Sequence, residues 1–293
     1  MSIFKGNCPA IITPFSKDGK KINFESFKKL VDFQIKGGVS AIVFLGTTGE
    51  SATLSEDEKI KVCNFAVKYV NGRVPVILGC GTNNTQTSIK LAKTFEKLGA
   101  NGLLCVTPYY NKCTQTGLIQ HYREIAKSTS LPIILYNVPG RTGVNIEPAT
   151  VRKLSEINNI VGLKEASGNM AQIVDIMSLC GDKIDVYSGD DNITLPILSM
   201  GGKGVISVLS NIAPKSVTEL CENAFNGNYI KAREIQIKHN KLIKSLFSEV
   251  NPIPVKTALN IMGYNVGPVR LPLSTMQRKK KNALKKNLEI LDD

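Results

Sequence analysis

The chain has 293 residues, 42% of them hydrophobic and 21% charged, with a formal net charge of +13. That length and balance suit a large folded domain with its own core and exclude a disordered chain. Seven cysteines, an odd number with no Cys-x-x-Cys pair, argue against a disulfide framework and for reduced thiols.

No apolar run reaches the roughly 18 residues of a membrane helix, and residues 1–20 hold no apolar stretch behind a basic start. A cytoplasmic protein with no membrane partner is therefore expected. A short apolar, β-like segment followed by an amphipathic, helix-like segment then recurs about every 20 to 35 residues. Strands are predicted over 9–13, 41–45, 74–79, 102–107, 132–137, 161–165, 185–188 and 204–207. Most are continuous apolar runs, as in parallel strands covered on both faces. Ser55, followed by Asp57 and Glu58, predicts a capped helix near 56–70. Asn84 or Thr85 caps another over 86–98, which Gly99 stops. Eight such units predict a (β/α)8 TIM barrel. A doubly wound open sheet shares the period, but its G-x-G-x-x-G signature does not follow the first strand.

Beyond Asn211 only helices are predicted, over 213–225, 230–247, 254–262 and 274–291. The first completes the eighth unit. The division expected is a catalytic barrel over 1–227 and a C-terminal helical extension over 228–293. The run Arg278, Lys279, Lys280, Lys281, Lys285 and Lys286 reads as the solvated face of a last helix; a phosphate-backbone partner is the alternative, and none is expected.

A barrel places its chemistry at the C-terminal ends of its strands. After the second strand, Gly46-Thr47-Thr48-Gly49-Glu50-Ser51 offers successive amides and two hydroxyls, a receptor for a carboxylate or phosphate. After the fourth come Tyr109 and Tyr110. The fifth ends in Tyr136, followed by a loop in which Pro139 and Gly140 set up Arg141, a planar fork for a carboxylate. The sixth carries Lys164 at the end of an apolar run, where burial favours the neutral, nucleophilic amine. After the seventh, Asp190 and Asp191 invite a metal, but charge stabilisation at a helix N-terminus explains them more cheaply. Ile206 and Ser207, near the top of the eighth, lie within reach of a ligand. The two histidines, His121 and His239, sit in helical patterns with no metal-binding spacing, so no catalytic metal is expected.

With these motifs in place, the chain resembles the pyruvate-dependent class I aldolase family that includes dihydrodipicolinate synthases and N-acetylneuraminate lyases. The motifs at 46–51, 136–142 and 163–168 resemble the synthase branch, and Arg141 separates it from the lyases. The resemblance implies that Lys164 forms an imine with pyruvate and that Thr47 and Thr48 hold its carboxylate. It also implies a proton relay of Thr48, Tyr136 and Tyr110, the last reaching across a dimer interface. Arg141 would receive L-aspartate 4-semialdehyde, while Gly189 and Ile206 line the pyruvate pocket. The implied product is 4-hydroxy-tetrahydrodipicolinate, on the route to diaminopimelate and lysine. The implied assembly is a homotetramer built as a dimer of dimers, and no cofactor is implied beyond the lysine. Ser51, Ala52, Asn83 and Tyr109 match the family's lysine-effector site. Glu56, Lys59 and Thr87 depart from it, so weak or absent lysine feedback is expected. A lyase of the same fold acting on a sugar acid or hydroxy-keto acid is the alternative.

Overall fold

The computed structural model describes residues 2–291. Met1, Asp292 and Asp293, the last two closing the expected 228–293 extension, lie outside the described residues.

Eight parallel strands form the centre: β1 (Gly6–Pro9), β2 (Ile42–Phe44), β3 (Val76–Gly79), β4 (Gly102–Val106), β5 (Ile133–Asn137), β6 (Ile160–Glu165), β7 (Asp185–Ser188) and β8 (Gly204–Ser207). They pair in the order β1-β8-β7-β6-β5-β4-β3-β2. Ser40 N donates to Asn7 O at 2.7 Å and Ile11 N to Val43 O at 3.0 Å, which brings β1 beside β2 and closes the ring. The open-sheet alternative is thereby excluded. The first strand is displaced from its predicted place at 9–13. Pro9, lacking an N–H, ends the regular ladder, and the apolar residues beyond it continue only as a single bridge from Ala10 to Val43.

Alternation along the strands sorts side chains into two layers. Cys8, Val43, Ile77, Leu104, Ile134, Tyr136, Tyr187 and Ile206 fill the barrel interior. Their neighbours Ile42, Leu78, Leu103, Leu135, Leu163 and Val186 face the surrounding helices. On β6 this places Leu163 outward and Lys164 inward, beside Tyr136 on β5 and Tyr187 on β7.

The ring of helices begins with α1 (Phe24–Lys36), α2 (Glu56–Val70), α3 (Thr85–Lys97) and α4 (Gln115–Lys127). Ser55 and Glu58 make the predicted capping box on α2, and Asn84, rather than Thr85, caps α3. Next come α5 (Pro139–Thr142), α6 (Pro148–Leu154), α7 (Met170–Cys180), α8 (Thr194–Ser199) and α9 (Pro214–Phe225). The segment predicted as a loop around Arg141 is the short helix α5, because Pro139 at its first turn presets a helical φ.

Three further helices follow: α10 (Tyr229–Leu246), α11 (Ile253–Ile261) and α12 (Arg278–Leu288). The last begins four residues later than predicted. It packs on α10 and α11 through Leu284 and Leu288, leaving Arg278, Lys279, Lys281, Lys285 and Lys286 exposed. All seven cysteines are free thiols. Among the described residues no helix is long and apolar enough to cross a membrane.

Candidate active site

Lys164 ends an apolar strand inside the barrel and is only 5% exposed. Its Nζ lies 4.2 Å from the centroid of the Tyr136 ring, and no salt bridge joins it to any described carboxylate. Its stem is packed just as closely: a Cβ on Gly189 would come within 3.0 Å of Lys164 Cγ and 2.8 Å of Ala166 Cβ. Glycine there leaves the lysine room to move. Cys8, also inside the barrel, has its thiol pushed up by burial against the pull of the Lys164 charge.

The residue after Lys164 points the other way. Glu165 is fully buried among the helices, accepting from Ser167 N at 2.6 Å, Asn137 Nδ2 at 2.9 Å and Gln172 Nε2 at 3.3 Å. Those bonds tie the end of β6 to the end of β5, so Lys164 and Tyr136 share one frame.

Above Tyr136 opens a cavity of about 260 Å³ whose wall includes Gly46, Thr47, Tyr136, Val138 and Arg141. Ser51, Ala52, Lys59 and Tyr109 line the same cavity. Asn83 stands apart, its carbonyl accepting from Asn111 Nδ2 at 3.1 Å. Thr48 is buried, and its hydroxyl accepts from Asn251 Nδ2 at 2.9 Å; it is not hydrogen-bonded to Tyr136. Arg141 donates from Nη2 to the Asn251 carbonyl at 3.3 Å and is otherwise exposed. Tyr110 is 92% exposed and has a φ of 71°, projecting away from its own barrel. Ile206 faces the interior, whereas Ser207 turns outward and donates to Asp191 at 2.5 Å.

The acids after β7 have structural partners. Asp190 caps the turn Asp191–Ile193, and Asp191 accepts from the amides of Val208 and Leu209, both at 2.9 Å. No group of three or more His, Cys, Asp or Glu suited to a metal occurs among the described residues. His121 is buried on α4 with Nδ1 2.9 Å from Thr85 Oγ1, and burial draws its pKa down to about 4. His239 meets the Ile235 carbonyl within its own helix.

Asn251, Lys256 and Arg270 were not singled out by sequence, yet they reach the Thr47–Thr48 turn directly or through Glu50, which was read only as part of that turn. The one available signal was Lys256 itself, a lysine embedded in the apolar run Ile253-Pro254-Val255 and Ala258-Leu259.

A buried lysine on the sixth strand of a closed parallel barrel, with no partner among the described carboxylates and a cavity opening above Tyr136, defines a lyase of the class I aldolase type. The chain belongs to the dihydrodipicolinate synthetase family, whose model matches residues 3–291. It is 50% identical over 289 residues to 4-hydroxy-tetrahydrodipicolinate synthase 1 of Clostridium acetobutylicum, covering 99% of this chain and 98% of that one. A synthase of the same name from Caldicellulosiruptor bescii is 52% identical over 288 residues, covering 98% and 97%. Dihydrodipicolinate synthase from Thermotoga maritima, a solved structure, superposes with a TM-score of 0.96 at 48% identity, covering 98% of each chain.

Proposed function

We propose that the protein condenses pyruvate with L-aspartate 4-semialdehyde to give 4-hydroxy-tetrahydrodipicolinate, on the route to diaminopimelate and lysine. The observation that carries this reading is Lys164: buried, without a carboxylate partner among the described residues, and set against Tyr136 beneath a cavity that Arg141 also lines. The relatives' names support the choice of substrates.

In the mechanism proposed, the Lys164 amine attacks the ketone carbon of pyruvate and water leaves, giving a protonated imine. That imine is an electron sink, so loss of a methyl proton yields an enamine. The enamine carbon bonds to the aldehyde carbon, whose oxygen takes a proton. The amine of the semialdehyde then attacks the imine carbon, closes the ring and releases Lys164. The nitrogen that drives the reaction comes from the chain, so the steps balance without a metal or organic cofactor.

Thr47 and Thr48 hold the pyruvate carboxylate. Because Thr48 already accepts from Asn251, its own proton is free to be donated towards the reacting centre. Tyr136 shuttles protons over Lys164, and the exposed Tyr110 enters the relay of a neighbouring subunit in a homotetramer built from two dimers. Arg141 receives the carboxylate of the semialdehyde, and Gly189 and Ile206 shape the floor. The boundary near residue 227 divides the chain by element type, while the site draws on both sides of it through Asn251.

Turnover tests the reading. Purified protein is expected to consume pyruvate with L-aspartate 4-semialdehyde and to leave N-acetylneuraminate and keto-deoxy sugar acids uncleaved. Cleavage of a sugar acid in preference to condensation would overturn it.

A further inference from the structure

The 46–51 turn is fastened from outside at three successive residues. Asn251 Nδ2 holds Thr48 Oγ1 at 2.9 Å, and Thr13 Oγ1 holds the Gly49 carbonyl at 2.7 Å. Glu50, in left-handed backbone at φ 53°, buries its carboxylate completely. Lys256 Nζ meets Glu50 Oε1 at 2.8 Å, and the Arg270 amide meets Oε2 at 2.9 Å.

Lys256 comes from α11 and is 1% exposed. It also donates to the Thr13 carbonyl at 3.1 Å and the Pro268 carbonyl at 2.6 Å, with Nζ 4.1 Å from the centre of the Phe15 ring. Thr13 thus links the two ends of the clamp: its hydroxyl takes Gly49 while its carbonyl takes the lysine that grips Glu50.

A buried ion pair is a weak source of stability, because removing two charges from water offsets most of their attraction. Burial, helped by the nearby Arg270 charge, lowers the Lys256 pKa to about 8 despite Glu50. A left-handed, non-glycine residue likewise persists only where its surroundings over-determine it. Both features sit two residues from Thr48, which points to geometry as what the pair provides.

We infer that Lys256 is a positioning residue, which acts through Glu50 to fix the turn so that Thr47 and Thr48 meet a pyruvate carboxylate in one geometry. The inference rests on the reading that those threonines hold pyruvate.

The full chain is tested as wild type, Lys256→Met, the double variant Glu50→Gln with Lys256→Met, and Thr47→Val. The double variant leaves no unpaired buried charge, so its thermal midpoint is expected to recover relative to Lys256→Met. Its pyruvate KM nevertheless stays raised by about tenfold or more, with the imine still trapped by borohydride at saturating pyruvate. A purely structural pair would instead regain stability and pyruvate KM together. A folded double variant with a pyruvate KM within about twofold of wild type overturns the inference, and so does a double variant that cannot fold. Thr47→Val keeps the two readings apart. An unchanged pyruvate KM in that variant removes the carboxylate reading itself. A raised value there, beside an unchanged one in the double variant, removes only the role of Lys256.

Discussion

At the scale of single residues, Lys164 was legible because its position contradicts its chemistry. A cationic side chain closing an apolar strand run is costly unless the site uses it, and the inward register of Lys164 bears out that reading of its position. Arg141 was legible as a residue at the barrel mouth, where it lines the cavity, although its backbone is a helical turn rather than a loop. Asn251 was not legible, since an asparagine far along the chain carries no local sign that it will touch Thr48 and Arg141.

Two expectations belong at this scale. Arg141→Ala is expected to lower kcat/KM for the semialdehyde by about 100-fold, as loss of a charge-assisted contact does, while pyruvate KM moves little. Steady-state kinetics with each substrate varied in turn measure this. His121 supplies a pH dependence of stability. Burial lowers its pKa from an ordinary 6.5 to about 4, so the unfolded chain binds more protons between those values. The contribution is complete above pH 6.5 and lost as pH falls towards 4, amounting to roughly 3 kcal/mol. Urea unfolding of wild type against His121→Gln from pH 7 to 4 should show wild type losing stability faster; parallel curves would contradict it.

At the scale of elements, periodicity located all eight strands, and two of them, β7 and β8, at their observed bounds. The shift of β1 shows the limit of such reading: apolar residues past Pro9 look like strand but have only a single bridge to pair with. The late start of α12 has a backbone cause: Gln277 is extended and its amide donates to Glu249 Oε1 at 3.0 Å, so the helix begins only at Arg278.

Helix α2 also bears on regulation. Glu56 is paired with Lys90 at 2.6 Å, and Lys59 lines the cavity beside Ser51 and Ala52. An amino-acid effector bringing a second ammonium would meet a cation there rather than an acid. Weak lysine feedback is therefore expected. Activity should persist across millimolar L-lysine, whereas half-inhibition below about 1 mM would contradict the account, since it requires lysine to bind tightly and to oppose substrate binding or turnover.

At the scale of the whole molecule, the alternation of buried runs with capped helices made the barrel legible, but nothing in it revealed where the last helices dock. Docking depends on contacts between residues some 200 positions apart, such as Lys256 with Glu50, and the unit of local pattern is a few turns or one strand. Tyr110 poses a similar question between chains. If it serves a neighbouring subunit, Tyr110→Phe and Lys164→Ala should each be nearly inactive alone. Mixed oligomers of the two should recover part of the wild-type activity, because some sites then combine an intact lysine with an intact tyrosine. Mixtures no more active than their parents would place Tyr110 outside a shared site.

The central claim, that Lys164 carries the substrate covalently, is tested most directly by borohydride reduction in the presence of pyruvate, followed by mass analysis of the intact chain and its peptides. The account predicts one reduced pyruvate per chain, located on the peptide containing Lys164 and absent from Lys164→Ala. An adduct on another lysine, or none at saturating pyruvate, would contradict it.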